Sequence, residues 1–395
     1  AEVTGNPANT ETVAAAAAAA VQSQMETRDG AMIRLRRIGG STLTVGQKIQ
    51  VPVEVTVHGE GYFPRSGRVM VEVRNIQASF SRASELWYSN SPENLYGAQP
   101  LFSRALTPLT PVRILCHHRN RSAAPLFNTL ALLNTSSVPA RIALISGDGG
   151  VDTNPTLAGY RAGDRFLTSF GSGSSLVISL PPGRMLPVHV HEMQLGETSS
   201  SLHFFTVLNE EAGDSVKVIQ QVVLPDDLPP AWLAASRTDR PYTFTPSAPL
   251  PNPLVIPEVD SPTYANPTKR EEFRYDFGGR LVFLRIGQHG IVDEEGKPLL
   301  GNFGVSYEFR GVLANPTDAA VEIEVAFEAS AGYTGCLMFV NGEYVRIPLL
   351  QPKEERIFRT VRLQPGQTQT LNITTMPLSG ASYPATISIR PKGFQ

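Results

Sequence analysis

The sequence predicts an all-β fold: two tandem β-sandwiches, an N-terminal β segment and a short Ala-rich N-terminal helix. Three observations carry this. The first is a period of two, in which Ile49, Val51, Val53, Val55 and Val57 alternate with Gln50, Pro52, Glu54, Thr56 and His58, as in a strand with one buried face. The second is turn chemistry, with 33 Gly and 32 Pro in 395 residues, which suits many strands joined tightly. The third is an internal repeat. Pro182-Gly183 precedes Met193 with nine residues between, and Pro365-Gly366 precedes Met376 with the same gap. Upstream, Leu132-Leu133-Asn134-Thr135-Ser136 through Ile142 and Leu144 parallels Val312-Leu313-Ala314-Asn315-Pro316-Thr317 through Ile323 and Val325. One supersecondary unit is used twice, so each candidate site can be checked against its own twin.

Composition sets the bounds. Apolar residues make up 41% and charged residues 18%, a globular rather than disordered balance. The formal charge of −2 comes from 34 basic and 36 acidic residues without a Lys/Arg block, which leaves counterion release nothing to act on and argues against nucleic acid as a partner. No run of apolar residues has the length of a transmembrane helix. The start at Ala1-Glu2 reads as what signal peptidase leaves behind, so a secreted or cell-surface location is expected. Cys116 and Cys336 sit in apolar runs and read as buried small side chains; a bridge between domains or subunits is the alternative.

Taken in order, residues 1–30 form a leader. Thr10 or Thr12 is placed to cap a helix through the seven alanines Ala14 to Ala20. Such a helix is marginal alone. It is expected to fray or to dock elsewhere, with Val13, Ala14, Ala17, Val21 and Met25 as an assembly face toward another subunit. Residues 31–82 form a β segment packed on the first sandwich. Residues 83–224 hold that sandwich, with strands expected at 85–88, 112–118, 127–134, 140–145, 175–180, 185–191, 203–208 and 216–223. The long insert 146–173 is read as a loop with a short helix over 156–170. The proline-dense stretch 225–271 is read as a strap along the first domain anchored by Trp232, Tyr242 and Phe244. Residues 272–395 hold the second sandwich, where Asn341-Gly342 between apolar runs signals a type I′ hairpin.

Asn315-Pro316-Thr317-Asp318 after an apolar strand, with Gln364-Pro365-Gly366-Gln367 before the next-to-last strand, resembles the immunoglobulin-like modules of secreted bacterial proteins. The resemblance covers the two repeats. It rests on turn motifs, so it implies architecture and no activity.

The sharpest chemical lead is Val188-His189-Val190-His191-Glu192-Met193. In a strand His189 and His191 share a face, and such a pair begins a Cu or Zn site. The twin argues against this. Aligned on the Pro-Gly turn, His189 falls on Asn372, His191 on Thr374 and Met193 on Met376. The expectation is therefore a solvent-facing pair, with Val188 and Val190 in the core. Asp148, Asp152 and Asn154 offer oxygens to calcium from one loop, without EF-hand spacing. Ser146-Gly147-Asp148-Gly149-Gly150 reads as a turn. No nucleophile elbow and no Ser/His/Asp arrangement is legible, so the protein is read as no enzyme, with no cofactor.

The functional expectation is a structural subunit of an extracellular filament, layer or coat, with itself as partner. The alternatives are an extracellular carbohydrate-binding or adhesion module, using Trp232 or the 146–173 loop toward a glycan, and a metal-binding sandwich using His189 and His191.

Overall fold

The computed structural model describes residues 1–23, 31–37, 41–59, 62–77, 82–229, 232–233, 247–251, 254–259 and 261–394. The chain is mostly strand, 54% against 12% helix, in four sheets. A long sheet orders its strands Thr263–Ala265, Glu85–Ser89, Val112–Asn120, Thr198–Val207, Ala140–Asp152, Ser175–Leu180, Glu2–Thr4, Tyr62–Asn75, Lys48–Gly59 and Ala31–Arg37, with Asn94–Leu95 beside Val112–Asn120. A second sheet, Ala248–Pro249, Arg184–Met193, Leu126–Asn134, Val216–Val223 and Gln99–Leu106, faces it. Phe205, Ile114 and Leu144 from the long sheet meet Leu130, Leu132 and Val218 from the second in one buried cluster. The third sheet is Thr268–Asp276, Ser306–Ala314, Thr368–Thr375, Thr334–Val340 and Glu343–Leu350, and the fourth is Val282–Ile286, Ala385–Pro391, Val321–Glu328 and Glu355–Leu363. These two close over Phe309, Ile373, Ile323 and Ile387.

The internal repeat holds at the level of single hydrogen bonds. Arg184 pairs with Asn134 across one ladder, and Thr368 with Ala314 across the other. The Gly183 N–H donates to the Asn134 carbonyl at 3.0 Å, and the Gly366 N–H to the Asn315 carbonyl at 2.9 Å. Each Asn side chain then plugs its corner. Asn134 donates to the Val138 and Leu180 carbonyls and accepts the Ser136 N–H. Asn315 donates to those of Ala319 and Leu363 and accepts the Thr317 N–H. The same backbone pairing recurs where the sequence gives no warning, from Gly196 to Asn120 and from Gly46 to Asn75.

Helix α1 (Thr10–Ser23) is capped by Asn9, whose side chain accepts the Thr12 N–H at 2.7 Å, in place of the threonines expected. The assembly-face expectation is corrected in part. Val13, Ala17 and Val21 are buried against Val3, Leu43, Val51, Val53, Val73 and Leu176 of their own chain, and Ala14 is buried as well; Met25 lies outside the described residues. The alanines have a physical reason, since strands lie close on several sides of the helix and larger side chains would hold them off.

Helix α2 (Pro155–Phe170) sits between the two halves. It rests on the strand Ala140–Asp152, which runs through the stretch read as a turn. The glycines there clear space for the helix: a Cβ on Gly147 would meet the Ala162 carbonyl at 2.4 Å, and one on Gly149 the Ala158 carbonyl at 2.3 Å. On its far side Leu167 joins the core of the third and fourth sheets, and Gly163 abuts Leu337 and Leu378. Buried Arg113 adds a polar tie, donating to the Gly304 carbonyl at 2.6 Å from beneath the Phe166 and Phe170 rings. Across the outer face of the second sheet, Leu228, Trp232, Leu254 and Ile256 cover Phe127, Ala131, Leu133 and Val190; Tyr242 and Phe244 lie outside the described residues. Among the described residues no helix is long and apolar enough to cross a membrane.

Candidate functional site

The first sandwich is not apolar throughout. Between its main core and a smaller cluster of Leu95, Leu101, Leu126, Met193 and Val222 runs a layer of buried polar side chains. His118, Ser199 and His203 enter it from the long sheet, and Asn128, His189, His191 and Gln220 from the second.

A β-bulge puts the histidines there. The ladder between Arg184–Met193 and Leu126–Asn134 slips between Pro187 and His189, leaving Val188 unpaired. One extra residue flips every later side chain to the other face. His189 and His191 therefore point into the sandwich, with only 4% and 7% of their surface exposed, while Val190 turns out under the strap. The twin strand has no slip in its ladder, and Asn372 and Thr374 are exposed there. This corrects the solvent-facing expectation, because the twin comparison assumed equal register.

The seam forms a directed chain of hydrogen bonds. Gln220 Nε2 donates to Asn128 Oδ1 at 2.9 Å. Asn128 Nδ2 donates to Ser199 Oγ at 3.0 Å. Ser199 Oγ lies 2.7 Å from His191 Nδ1. His191 Nε2 lies 2.9 Å from Asp148 Oδ1, an ion-pair distance whose alignment falls short of a regular hydrogen bond. With a ring proton on Nε2, facing the carboxylate, Nδ1 is left to accept the Ser199 hydroxyl. Every donor then points toward Asp148.

Asp148 marks the solvent end, with 27% of its side chain exposed. Burial by itself would raise its carboxyl. The His191 and His189 rings and the Gly150 N–H outweigh that and hold it well below the usual carboxylate range. The other histidines run the opposite way. Burial lowers His203 and His118 to about 4. Burial, then the neighbouring His118, lowers His117 to about 3. His189 is lowered well below its ordinary value by burial and by His191 and His203. These four rings are neutral at physiological pH. His117 lies on the other side of the long sheet, next to Gly380.

The structure thus assembles a Ser/His/Asp set, Ser199, His191 and Asp148, that was not legible in the sequence. The missed members are Ser199, Asn128 and Gln220. The available signal was a lone polar residue on the apolar face of a strand, Asn128 among Leu126, Leu130 and Leu132 and Gln220 among Val216, Val218 and Val222.

The metal expectation changes. His189 and His191 stack face to face, with centroids 4.3 Å apart and planes 7° from parallel. Parallel rings direct their nitrogen lone pairs along parallel planes and do not converge on one ion. His189 Nδ1 instead approaches His203 Nε2 at 3.4 Å. Among the described residues no group of three His, Cys, Asp or Glu is arranged to hold a metal ion.

The calcium trio is corrected as well. Asp148 faces His191, Asp152 pairs with Arg161 at 2.8 Å, and Asn154 caps α2 by accepting the Thr156 and Leu157 N–H groups. Each side chain already has its own partner. Trp87 and Trp232 are both buried, so neither offers a ring for stacking on a sugar, and the 146–173 insert is strand and packed helix. Cys116 and Cys336 are buried free thiols, each pushed up to about 12 by burial.

No family model matches the chain, and no curated protein matches it. Among solved structures, the CupB6 tip adhesin from Pseudomonas aeruginosa is 12% identical over 79% of this chain and 93% of its own, with a TM-score of 0.16. Fet3p, a multicopper oxidase that functions in iron import, is 10% identical over 88% and 76%, at 0.14. Lac15, from a marine microbial metagenome, is 11% identical over 91% and 75%, at 0.13. At such scores the likeness carries no argument.

Proposed function

We propose that this protein is a structural subunit of an extracellular assembly (a filament, layer or coat), with further copies of itself as its partner. In this reading residues 83–224 and 272–395 form two tandem immunoglobulin-like sandwiches that act as a rigid spacer, and residues 1–82 form the assembling end. The observation that carries it is the hairpin arm made by Lys48–Gly59 and Tyr62–Asn75, of 12 and 14 residues. Its root is buried around α1. Its far end carries Phe63, 91% exposed; Val69 and Met70, nearer the root opposite Val53 and Pro52, are exposed too. At about 3.3 Å per residue the arm is some 45 Å long. Such a lever with an apolar tip suits insertion into a neighbour. A role in turnover of an outside substrate is disfavoured, because Ser199 has no exposed surface.

Light scattering on size-separated protein, followed by negative-stain imaging, tests the reading. The expectation is large species that disappear in a Phe63→Asp, Met70→Asp double variant. A monomer of 42.8 kDa across a wide concentration range, with no particles on the grid, would overturn it.

A further inference from the structure

We propose that the buried seam is a self-crosslinking site, in which Ser199 forms an ester with the side chain of Asn128 and ties the two sheets of the first sandwich covalently. This goes beyond the assembly reading and does not depend on it.

The argument starts from what surrounds the Ser199 hydroxyl. His191 Nδ1, 2.7 Å away, is an imidazole nitrogen in position to take its proton. Asp148, 2.9 Å from Nε2, favours the tautomer that leaves Nδ1 free to accept. This is the nucleophile, base and orienting group of acyl transfer. An acyl acceptor of that kind needs an acyl donor, and Ser199 is fully buried, so the donor has to come from the protein. The carboxamide of Asn128 already touches the hydroxyl through Nδ2, at 3.0 Å. Its carbonyl oxygen is polarised by Gln220 Nε2 at 2.9 Å, where an oxyanion-stabilising donor is required.

The step balances without any other reactant. Ser199 Oγ bonds to Asn128 Cγ while His191 Nδ1 takes the hydroxyl proton. Negative charge passes to Oδ1, facing Gln220. On collapse the Cγ–Nδ2 bond breaks, and His191 returns the proton to the departing nitrogen, which leaves as ammonia. One C–N bond is exchanged for one C–O bond, and nothing is oxidised or reduced. Loss of ammonia to bulk solvent draws the reaction forward, and burial shields the ester from hydrolysis.

Geometry also gives the site a purpose. Ser199 belongs to Thr198–Val207 in the long sheet and Asn128 to Leu126–Asn134 in the second. The sheets share no main-chain ladder, and a bond here staples one to the other.

Intact mass of the whole chain, after prolonged incubation at neutral pH, is decisive without any variant. The expected mass is lower than the sequence mass by one ammonia. Fragmentation should give a branched peptide joining Ser199 to Asn128, and mild alkali should cleave it. The full sequence mass would overturn the proposal. So would an ammonia loss that persists in Ser199→Ala, which would place the chemistry at another asparagine, or a branched peptide through different residues. His191→Gln should slow the mass change if the ring acts as base; an unchanged rate would remove His191 from the mechanism and sink the proposal in this form.

Discussion

Asn315 donates to the carbonyls of Ala319 and Leu363 while its oxygen takes the Thr317 N–H and hydroxyl. Truncation to Ala leaves these groups without their partner in a corner where Asn315 is 1% exposed. The cost of leaving buried partners unpaired is about 1–3 kcal/mol, so Asn315→Ala should lower the urea midpoint by an amount of that order. An unmoved midpoint would mean that the turn carries itself. The buried histidines give a second test at this scale. His117, His118, His189 and His203 are all lowered in the fold. Above their ordinary value near 6.5 neither state is protonated, and they exact no penalty. As pH falls below that value the unfolded chain takes up protons that the fold refuses. Each histidine should then remove about 1.4 kcal/mol per pH unit, down to about pH 4 for His118 and His203 and about pH 3 for His117. Asp148, held low in the fold, adds to the loss below its own ordinary range. Denaturant unfolding at pH 7.5 and pH 5 should therefore show a sharp fall, and His117→Leu should shallow the slope by about one proton. Equal stability at the two values would contradict the burial of these rings. The turn role of Asn315 could be read from its neighbours in the sequence. The facing of His189 could not, because a single bulged residue inverts it and leaves no mark in composition or period.

Helix α2 shows how two neighbouring elements shape each other. The expected span over 156–170 differs by one residue from Pro155–Phe170, and Asn154, read as a calcium ligand, is its cap. The strand beneath it was misread because its glycines, placed to admit the helix, look like a turn when read alone. The strand Thr198–Val207 was expected only from His203, since the small polar run before it resembles a loop until burial is known. On the helix itself, Gly159 meets the second half so closely that a Cβ would lie 1.8 Å from the Ser379 carbonyl. Ala in place of Gly gains about 1 kcal/mol of helix propensity. Forcing the backbones apart costs about 1–3 kcal/mol. Gly159→Ala should therefore lower the melting temperature although it improves the helix, and a rise would show that the contact is loose.

At the scale of the molecule, the core of the third and fourth sheets continues through Phe166 and Leu167 into Leu115, Leu202 and Phe204 of the first half. Tyr344 and Arg346 of the second half both reach Asp164 on α2, at 2.9 and 2.6 Å. Two halves joined by shared core rather than by a tether should melt together. Calorimetry should show one transition, and two well-separated peaks would mean that α2 belongs to the first half alone. The repeat was visible in the sequence because its turns need particular residues. The continuity of the core was not, since an apolar side chain does not name its neighbour.

The small strand Glu2–Thr4 lies between Ser175–Leu180 and Tyr62–Asn75, with Val3 opposite Leu176 on one side and Asn75 on the other. Synthesis proceeds in chain order, so the earliest of these residues to emerge must wait for a partner more than 170 positions later. Until then α1, too short and plain to persist in water, has no complete surface to settle on. The segment that joins two stretches of its sheet is thus the one whose order arrives late. A nascent chain halted before residue 175 should leave it open to protease, and release past residue 180 should close it.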